Sequence, residues 1–254
     1  MAGIPGSENG KYSRGDAMTV LVPRGSFEII DNWGDIIGMR GSGSNSVRIT
    51  DVFVPDDMVF FHTIGAMVDG PTPGSVLHGD AFFGGAFGGF AEGGLRPVAL
   101  ETGVFAALDE YEELLRTKKS VHKDGIPRLD DPEFLRKYGM ALASLQVARG
   151  AVLNGAETYL SHCELSVSGQ QPFDGTKCAV MDGAYHACEN IVFDVIDSLA
   201  RAASSTAFRQ GQRMQRYYRD ILTLTSRADF FEFRAADVAR TILAQNAASS
   251  ECAV

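Results

Sequence analysis

DPEFLRKYGMALASLQVARGAVLNGAETYL, residues 131–160, is the stretch whose reading decides the fold. Asp131 stands where a helix N-cap belongs, Pro132 where a missing N–H costs nothing, and Glu133 where the positive end of the helix dipole favours an acid. Tyr138, Leu142, Leu145, Val152, Ala156 and Tyr159 then recur at spacings of 4, 3, 7, 4 and 3. That is one helix face continued over about six turns, so it must bury its stripe against other helices.

The flanking sequence supplies those partners. Upstream, residues 95–119 place Val98, Phe105, Leu108 and Leu115 on one side and end in Arg116, Lys118 and Lys119, charges that suit a helix C-terminus. Downstream, residues 176–203 carry Ala184, Cys188, Ile191, Val195 and Leu199 in register. Residues 211–247 read as a fourth helix with a weak point at 225–228, where polar and small residues interrupt the stripe. Long helices with short connections predict an antiparallel four-helix bundle over residues 95–254.

Ahead of the bundle the pattern changes. Residues 1–16 are rich in Gly, Ser and charge without periodicity. Met18–Val22 and Phe27–Trp33 read as two strands of a hairpin around PRGS, and Ser46–Val54 alternates as a third, half-buried strand. Residues 1–58 are thus expected to form a short antiparallel meander, a partial β-domain, and the fold class is α+β, mainly α. Residues 59–94 form a Gly/Phe-rich connection in which Phe82, Phe83, Phe87 and Phe90 either lie over the core or serve as a lid on an apolar pocket.

The composition excludes several classes of function. The chain of 254 residues has 45% hydrophobic residues, enough for a core, and a net charge of -9, which disfavours nucleic acid and anionic membranes. No apolar run is long enough for a spanning helix, and residues 1–16 lack the apolar centre of a signal peptide, so the reading is cytoplasmic. Cys163, Cys178, Cys188 and Cys252 form no CxxC pair and read as free thiols. His186, Cys188 and Cys178 lack the helical spacing of metal ligands, so no metal is expected.

Two constellations remain. GMRGSGSN, residues 38–45, is neither a Walker loop nor GxGxxG, because it lacks Lys and a strand follows it. By composition it is an ordinary turn whose glycines permit close backbone approach and whose Ser and Asn groups could receive a ligand. RMQRYYRDI, residues 213–221, sets Arg213, Arg216 and Tyr217 on neighbouring turns, followed by Arg219 and Asp220. Such a helix face is either solvated with ordinary ion pairs or suited to phosphate and carboxylate.

The order of VLVPRGSFEIIDNW, GMRGSGSNSVRITDVFVP, LDDPEFLRKYGMALASLQVAR and ASSTAFRQGQRMQRYYRDI resembles the acyl-CoA dehydrogenase superfamily. It is most similar to its oxygenase branch, the two-component flavin-dependent monooxygenases. The resemblance runs from about residue 17 to 240. It implies a reduced flavin, FAD or FMN, held between β-domain and bundle in a homo-oligomer, a dimer or tetramer, and supplied by a flavin reductase. It implies Trp33, Ser42 and Ser44 at the isoalloxazine and Ser204, Ser205 and Arg209 near the phosphate end.

The oxygenase branch carries a histidine about seven residues after the Arg-Asp pair, where this chain has Ser226 and Arg227, and the dehydrogenase branch a glutamate near Ala228 and Asp229. Ser226 and Asp229 are therefore the catalytic candidates. The family's all-helical N-terminal domain and the first half of its β-domain have no counterpart in these residues. The expectation is a truncated member, or one completed by a companion chain. The functional expectation is a monooxygenase acting on an aromatic or other small organic substrate. The alternatives are an acyl-CoA dehydrogenase-like flavin dehydrogenase or a noncatalytic assembly subunit.

Overall fold

The computed structural model describes residues 18–61, 67–86, 95–121, 125–226 and 231–251. Four short strands precede the helices: β1 (Met18–Val20), β2 (Glu28–Ile30), β3 (Ser46–Arg48) and β4 (Val59–Phe61). They make two antiparallel pairs, β1 with β4 and β2 with β3, one nested inside the other. The expected hairpin between residues 18–22 and 27–33 does not form. Pro23 offers no N–H, and Ser26 N donates to its carbonyl at 2.9 Å in a 3-10 turn over Arg24–Ser26. Leu21 N instead donates to Met58 O at 2.9 Å and continues the β1–β4 ladder.

The third strand is shorter than its alternation predicts. Asp51 sits at φ 50°, a left-handed conformation that a strand cannot continue through. Val47 and Ile49 are about half exposed, and Phe53 lies almost entirely in solvent. The strand is therefore not half-buried.

Helix α1 (Pro73–His78) lies in the connection, and the bundle follows with α2 (Leu95–Thr117), α3 (Pro132–Val167), α4 (Gly175–Ala203), α5 (Arg213–Thr225) and α6 (Phe231–Glu251). The expected fourth helix is two helices. Its weak point is where α5 ends, with Ser226 as C-cap and its N–H on Thr223 O. Among the described residues these elements are mainly α with a minor antiparallel β part.

Asp131 caps α3 as expected, accepting from Glu133 N at 3.1 Å. Leu145, Val152 and Tyr159 of its stripe are buried, but Ala156 faces solvent. Ala141 and Ala148 take the inward places instead, giving the tight 4, 3, 4 run Ala141, Leu145, Ala148, Val152. Helix α4 touches α2, α3, α5 and α6. It accordingly buries more than one face, from Tyr185 and Cys188 through Val192, Val195 and Ile196 to Leu199, whereas Ala184 of the expected stripe is exposed. From α2 come Val104, Leu108, Tyr111 and Leu115, and from α5 Met214 and Ile221.

One buried cation closes the α2–α3 end of this core. Arg128 donates to Ala203 O at the last turn of α4 at 3.2 Å, and its guanidinium lies over the Phe134 ring at 4.6 Å. A cation at that terminus meets carbonyls left unpaired by the helix.

The described part of the connection, residues 67–86, is a strap on the far half of α3 and α4. Val68 and Phe173 exchange two backbone hydrogen bonds, Ser166 Oγ donates to Val68 O at 2.9 Å, and the Phe82 ring meets Tyr159 edge-on at 5.8 Å. Gly85 is pressed so close to Tyr159 and Cys163 that a Cβ would stand 2.4 Å from the tyrosine oxygen. Phe87 and Phe90 lie outside the described residues.

Candidate functional site

The GMRGSGSN loop joins β2 to β3, and polar side chains close it at both ends. Asn45 Oδ1 accepts from Asn32 N at 3.2 Å and Trp33 N at 3.0 Å, while Asn32 Oδ1 accepts from Ser46 N at 3.0 Å. This is the side-chain mimicry of backbone that asparagine brings to turns. Inside the loop, Met39 adopts φ 55°, unusual for a residue with a side chain. Its carbonyl accepts from Trp33 Nε1 at 2.8 Å, Ser42 N at 3.1 Å and Ser42 Oγ at 2.9 Å. The Ser42 and Ser44 hydroxyls lie 3.2 Å apart on the exposed rim.

The loop is docked on α5. Asp220 Oδ1 accepts from Met39 N at 2.7 Å, and Arg219 donates to Ile37 O. Gly38 is packed between these contacts, where a Cβ would come within 2.1 Å of Arg219 O and 2.6 Å of Thr223 Oγ1. A left-handed Met costs about 1–2 kcal/mol, and a hydrogen bond to a charged group returns about 1.5–3 kcal/mol, so the Asp220 contact is large enough to hold the conformation.

The second group of expected residues lies at the C-terminal end of α4. Ser204 follows Ala203 with φ 85° and ψ 161°, a region almost reserved for glycine, and its hydroxyl is 3.0 Å from Thr206 Oγ1. Ser204 and Ser205 line a cleft of about 310 Å³ with Asp197, Ala200, Arg201, Phe208 and Tyr218. Asp197 bridges it, accepting from Arg201 Nε at 2.7 Å and from the Tyr218 hydroxyl at 3.3 Å. Burial, with the Asp197 carboxylate beside it, holds the Tyr218 phenol above its ordinary range.

The chain thus brings Trp33, Ser42 and Ser44 together in one loop and Ser204 and Ser205 together in one cleft. That cleft is lined by none of Trp33, Ser42, Ser44 and Arg209, and Arg209 is exposed just beyond it. Ser226 caps α5, its hydroxyl donating to Thr223 O at 2.8 Å, and Asp229 lies outside the described residues. Arg216 stacks over Tyr217 at 5.2 Å.

Sequence reasoning missed the latch formed by Arg219 and Asp220, which it placed on a generic helix face. It also missed Asp197 and Tyr218. The spacing of Asp197 and Arg201, one helical turn apart, was a readable signal, but nothing local marks Tyr218 as their partner.

His186 belongs to a separate buried cluster on α4. Its ring nitrogens lie 3.3 Å from Asp182 Oδ1 and 3.0 Å from Glu189 Oε2, and these two carboxylates, against the cost of burial, push its pKa up to about 9. Among the described residues no group of three or more His, Cys, Asp or Glu could hold a metal ion. Cys163, Cys178 and Cys188 are buried, and no described helix is long and apolar enough to cross a membrane.

Residues 104–232 match the family described as acyl-CoA dehydrogenase, C-terminal domain. Among curated proteins, the chain is 24% identical to a pigment production hydroxylase of Rhodococcus sp. (strain ATCC 21145), over 85% of this chain and 54% of that one. It is 27% identical to the flavin-dependent monooxygenase oxygenase subunit HsaA of Rhodococcus jostii (strain RHA1), over 81% and 52%. The chain spans about half the length of the curated relatives it matches. Among solved structures, XiaF from Streptomyces sp. in complex with FADH2 and glycerol superposes with a TM-score of 0.75 at 19% identity, covering 90% of this chain and 56% of that one.

Proposed function

The chain belongs to the acyl-CoA dehydrogenase C-terminal domain family, and from that premise we propose that it forms the bundle-side wall of a reduced-flavin-dependent monooxygenase. The observation that carries the proposal is the Trp33–Asn45 loop docked on α5, in a chain similar to a flavin-dependent oxygenase subunit.

The residues fit such a group. Trp33 spends its indole N–H on Met39, which leaves its ring as an apolar surface for a flat heteroaromatic. Ser42 and Ser44 offer exposed hydroxyls for polar edge atoms, and Ser204, Ser205 and Arg209 suit a phosphate. A reduced flavin would supply the two electrons that activate dioxygen. The protein's part is to orient its ring, exclude water and hold the substrate's proton, for which Ser226 and Asp229 are the candidates.

Because Trp33, Ser42 and Ser44 are not among the described residues that line the cleft, the reading brings loop and cleft into one site across subunits of a homo-oligomer, a dimer or tetramer. A flavin reductase would deliver FADH2 or FMNH2, the setting would be cytoplasmic, and the substrate an aromatic or other small organic molecule. A companion chain would supply any wall that the domains outlined by the sequence, 1–58, 59–94 and 95–254, do not.

Anaerobic titration of the full chain with dithionite-reduced FMN and FAD, followed by Trp33 emission, tests the binding. Saturable quenching followed by oxygen-dependent turnover of a phenol supports the oxygenase. Reduction of bound oxidised flavin by an acyl-CoA would replace it with the dehydrogenase, and no binding would leave an assembly subunit.

A further inference from the structure

We propose that Asp220, helped by Arg219, is the positioning residue through which helix α5 sets the Trp33–Asn45 loop for its flavin. The role rests on the flavin reading above.

Three contacts converge on three consecutive loop residues. Arg219 donates to the Ile37 carbonyl, Gly38 meets the helix so closely that no side chain fits, and Asp220 receives the Met39 N–H at 2.7 Å. The peptide units on either side of Gly38 are thereby fixed relative to the helix axis. Met39 is the residue that transmits this to the loop. Its left-handed φ of 55° turns its carbonyl inward, where it takes the Trp33 indole N–H at 2.8 Å and the Ser42 hydroxyl at 2.9 Å.

Asp220 touches neither Trp33 nor Ser42 in this chain of contacts, yet it fixes the group that both of them bind. A backbone conformation of this kind persists only where its surroundings over-determine it. Removing the carboxylate frees the Met39 N–H, lets φ relax to negative values and rotates the carbonyl away from the indole. The helix face that carries RMQRYYRDI is therefore a template for the loop as well as a wall of the bundle core, which Met214 and Ile221 enter from the same helix.

Because the chain has one tryptophan, its fluorescence reports Trp33 alone. In the full chain, Asp220→Ala is expected to shift emission to the red, increase quenching by acrylamide and weaken binding of dithionite-reduced FMN or FAD about tenfold, the order of one charge-assisted hydrogen bond. Asp220→Asn keeps an oxygen acceptor and is expected to restore the emission and most of the affinity. Gly38→Ala attacks the same contact from the loop side and is expected to reproduce the alanine variant. The far-UV melting midpoint should fall by no more than about a few degrees in all three, because the bundle core is left intact.

Wild-type emission and quenching in both Asp220→Ala and Gly38→Ala would overturn the proposal, as would a lowered melting midpoint with no change at Trp33. An emission shift without loss of flavin affinity would overturn the positioning role while leaving the flavin reading intact. An emission shift in a protein whose wild type binds no reduced flavin would support the latch and overturn the flavin reading instead.

Discussion

The helical bundle and the β segment of this chain are stabilised in opposite ways. Val104, Tyr111, Leu145, Ile196 and Met214 are closed to solvent, whereas Ile29, Val47 and Ile49 are about half exposed and Phe53 is 88% exposed. Of the residues from 19 to 59, Gly38 alone is buried. The bundle is held by apolar burial, the dominant favourable term in folding. The β segment is held by short ladders, asparagine side chains and one docking point on α5. Global stability and the shape of the candidate site therefore reside in different residues.

The sharpest way to break that contrast is to truncate an apolar side chain in each part. Leu145→Ala is expected to cost about 2–5 kcal/mol, the range for a large-to-small change in a packed core. Val47→Ala is expected to stay within about 0.5 kcal/mol, as for an ordinary surface change. Urea unfolding followed by far-UV circular dichroism measures both. Comparable losses would mean that the β segment buries its apolar face after all.

A second, smaller effect separates the two regions by pH. His186 titrates at about 9 in the folded chain, against an ordinary value of 6.5. Its stabilisation is therefore fully present below about pH 6.5 and is lost as pH rises through about 9, with an upper bound of about 3 kcal/mol. The urea midpoint should fall over that window in the wild type and stay flat in His186→Gln. Trp33 emission should be level across the same window. If it moves with the midpoint, the loop and the bundle are coupled more tightly than their packing implies.

The bundle was legible in the sequence because helix faces announce themselves through period, and caps such as Asp131 and Pro132 act locally. What period could not show is which small residue goes inward when two long helices approach closely. Ala141 and Ala148 are buried and Ala156 is not, although all three are alanines on the same helix. Strand pairing was less legible, because register depends on partners distant in sequence. Pro23 and the left-handed Asp51 redirect the chain in ways that alternation does not encode. The latch was hidden for the same reason. Met39 and Asp220 are separated by 181 positions, and Arg-Asp on a helix has an ordinary local meaning.

Ser204 gives the smallest predicted effect. Its backbone at φ 85° and ψ 161° lies where a side chain costs of order 1–3 kcal/mol, and glycine would remove that strain at an entropic cost of about 0.5–1 kcal/mol. Ser204→Gly should accordingly raise stability by about 1 kcal/mol, read as a higher thermal midpoint. The Ala203 carbonyl just before it is held by Arg128, so the helix end has an anchor that the substitution leaves in place. A more stable variant that also binds reduced flavin more weakly would mean that the serine is kept for its hydroxyl, with strain retained at the site. A less stable variant would mean that the 3.0 Å contact with Thr206 holds the turn, which would move Ser204 from the candidate site to the group of residues that support the bundle.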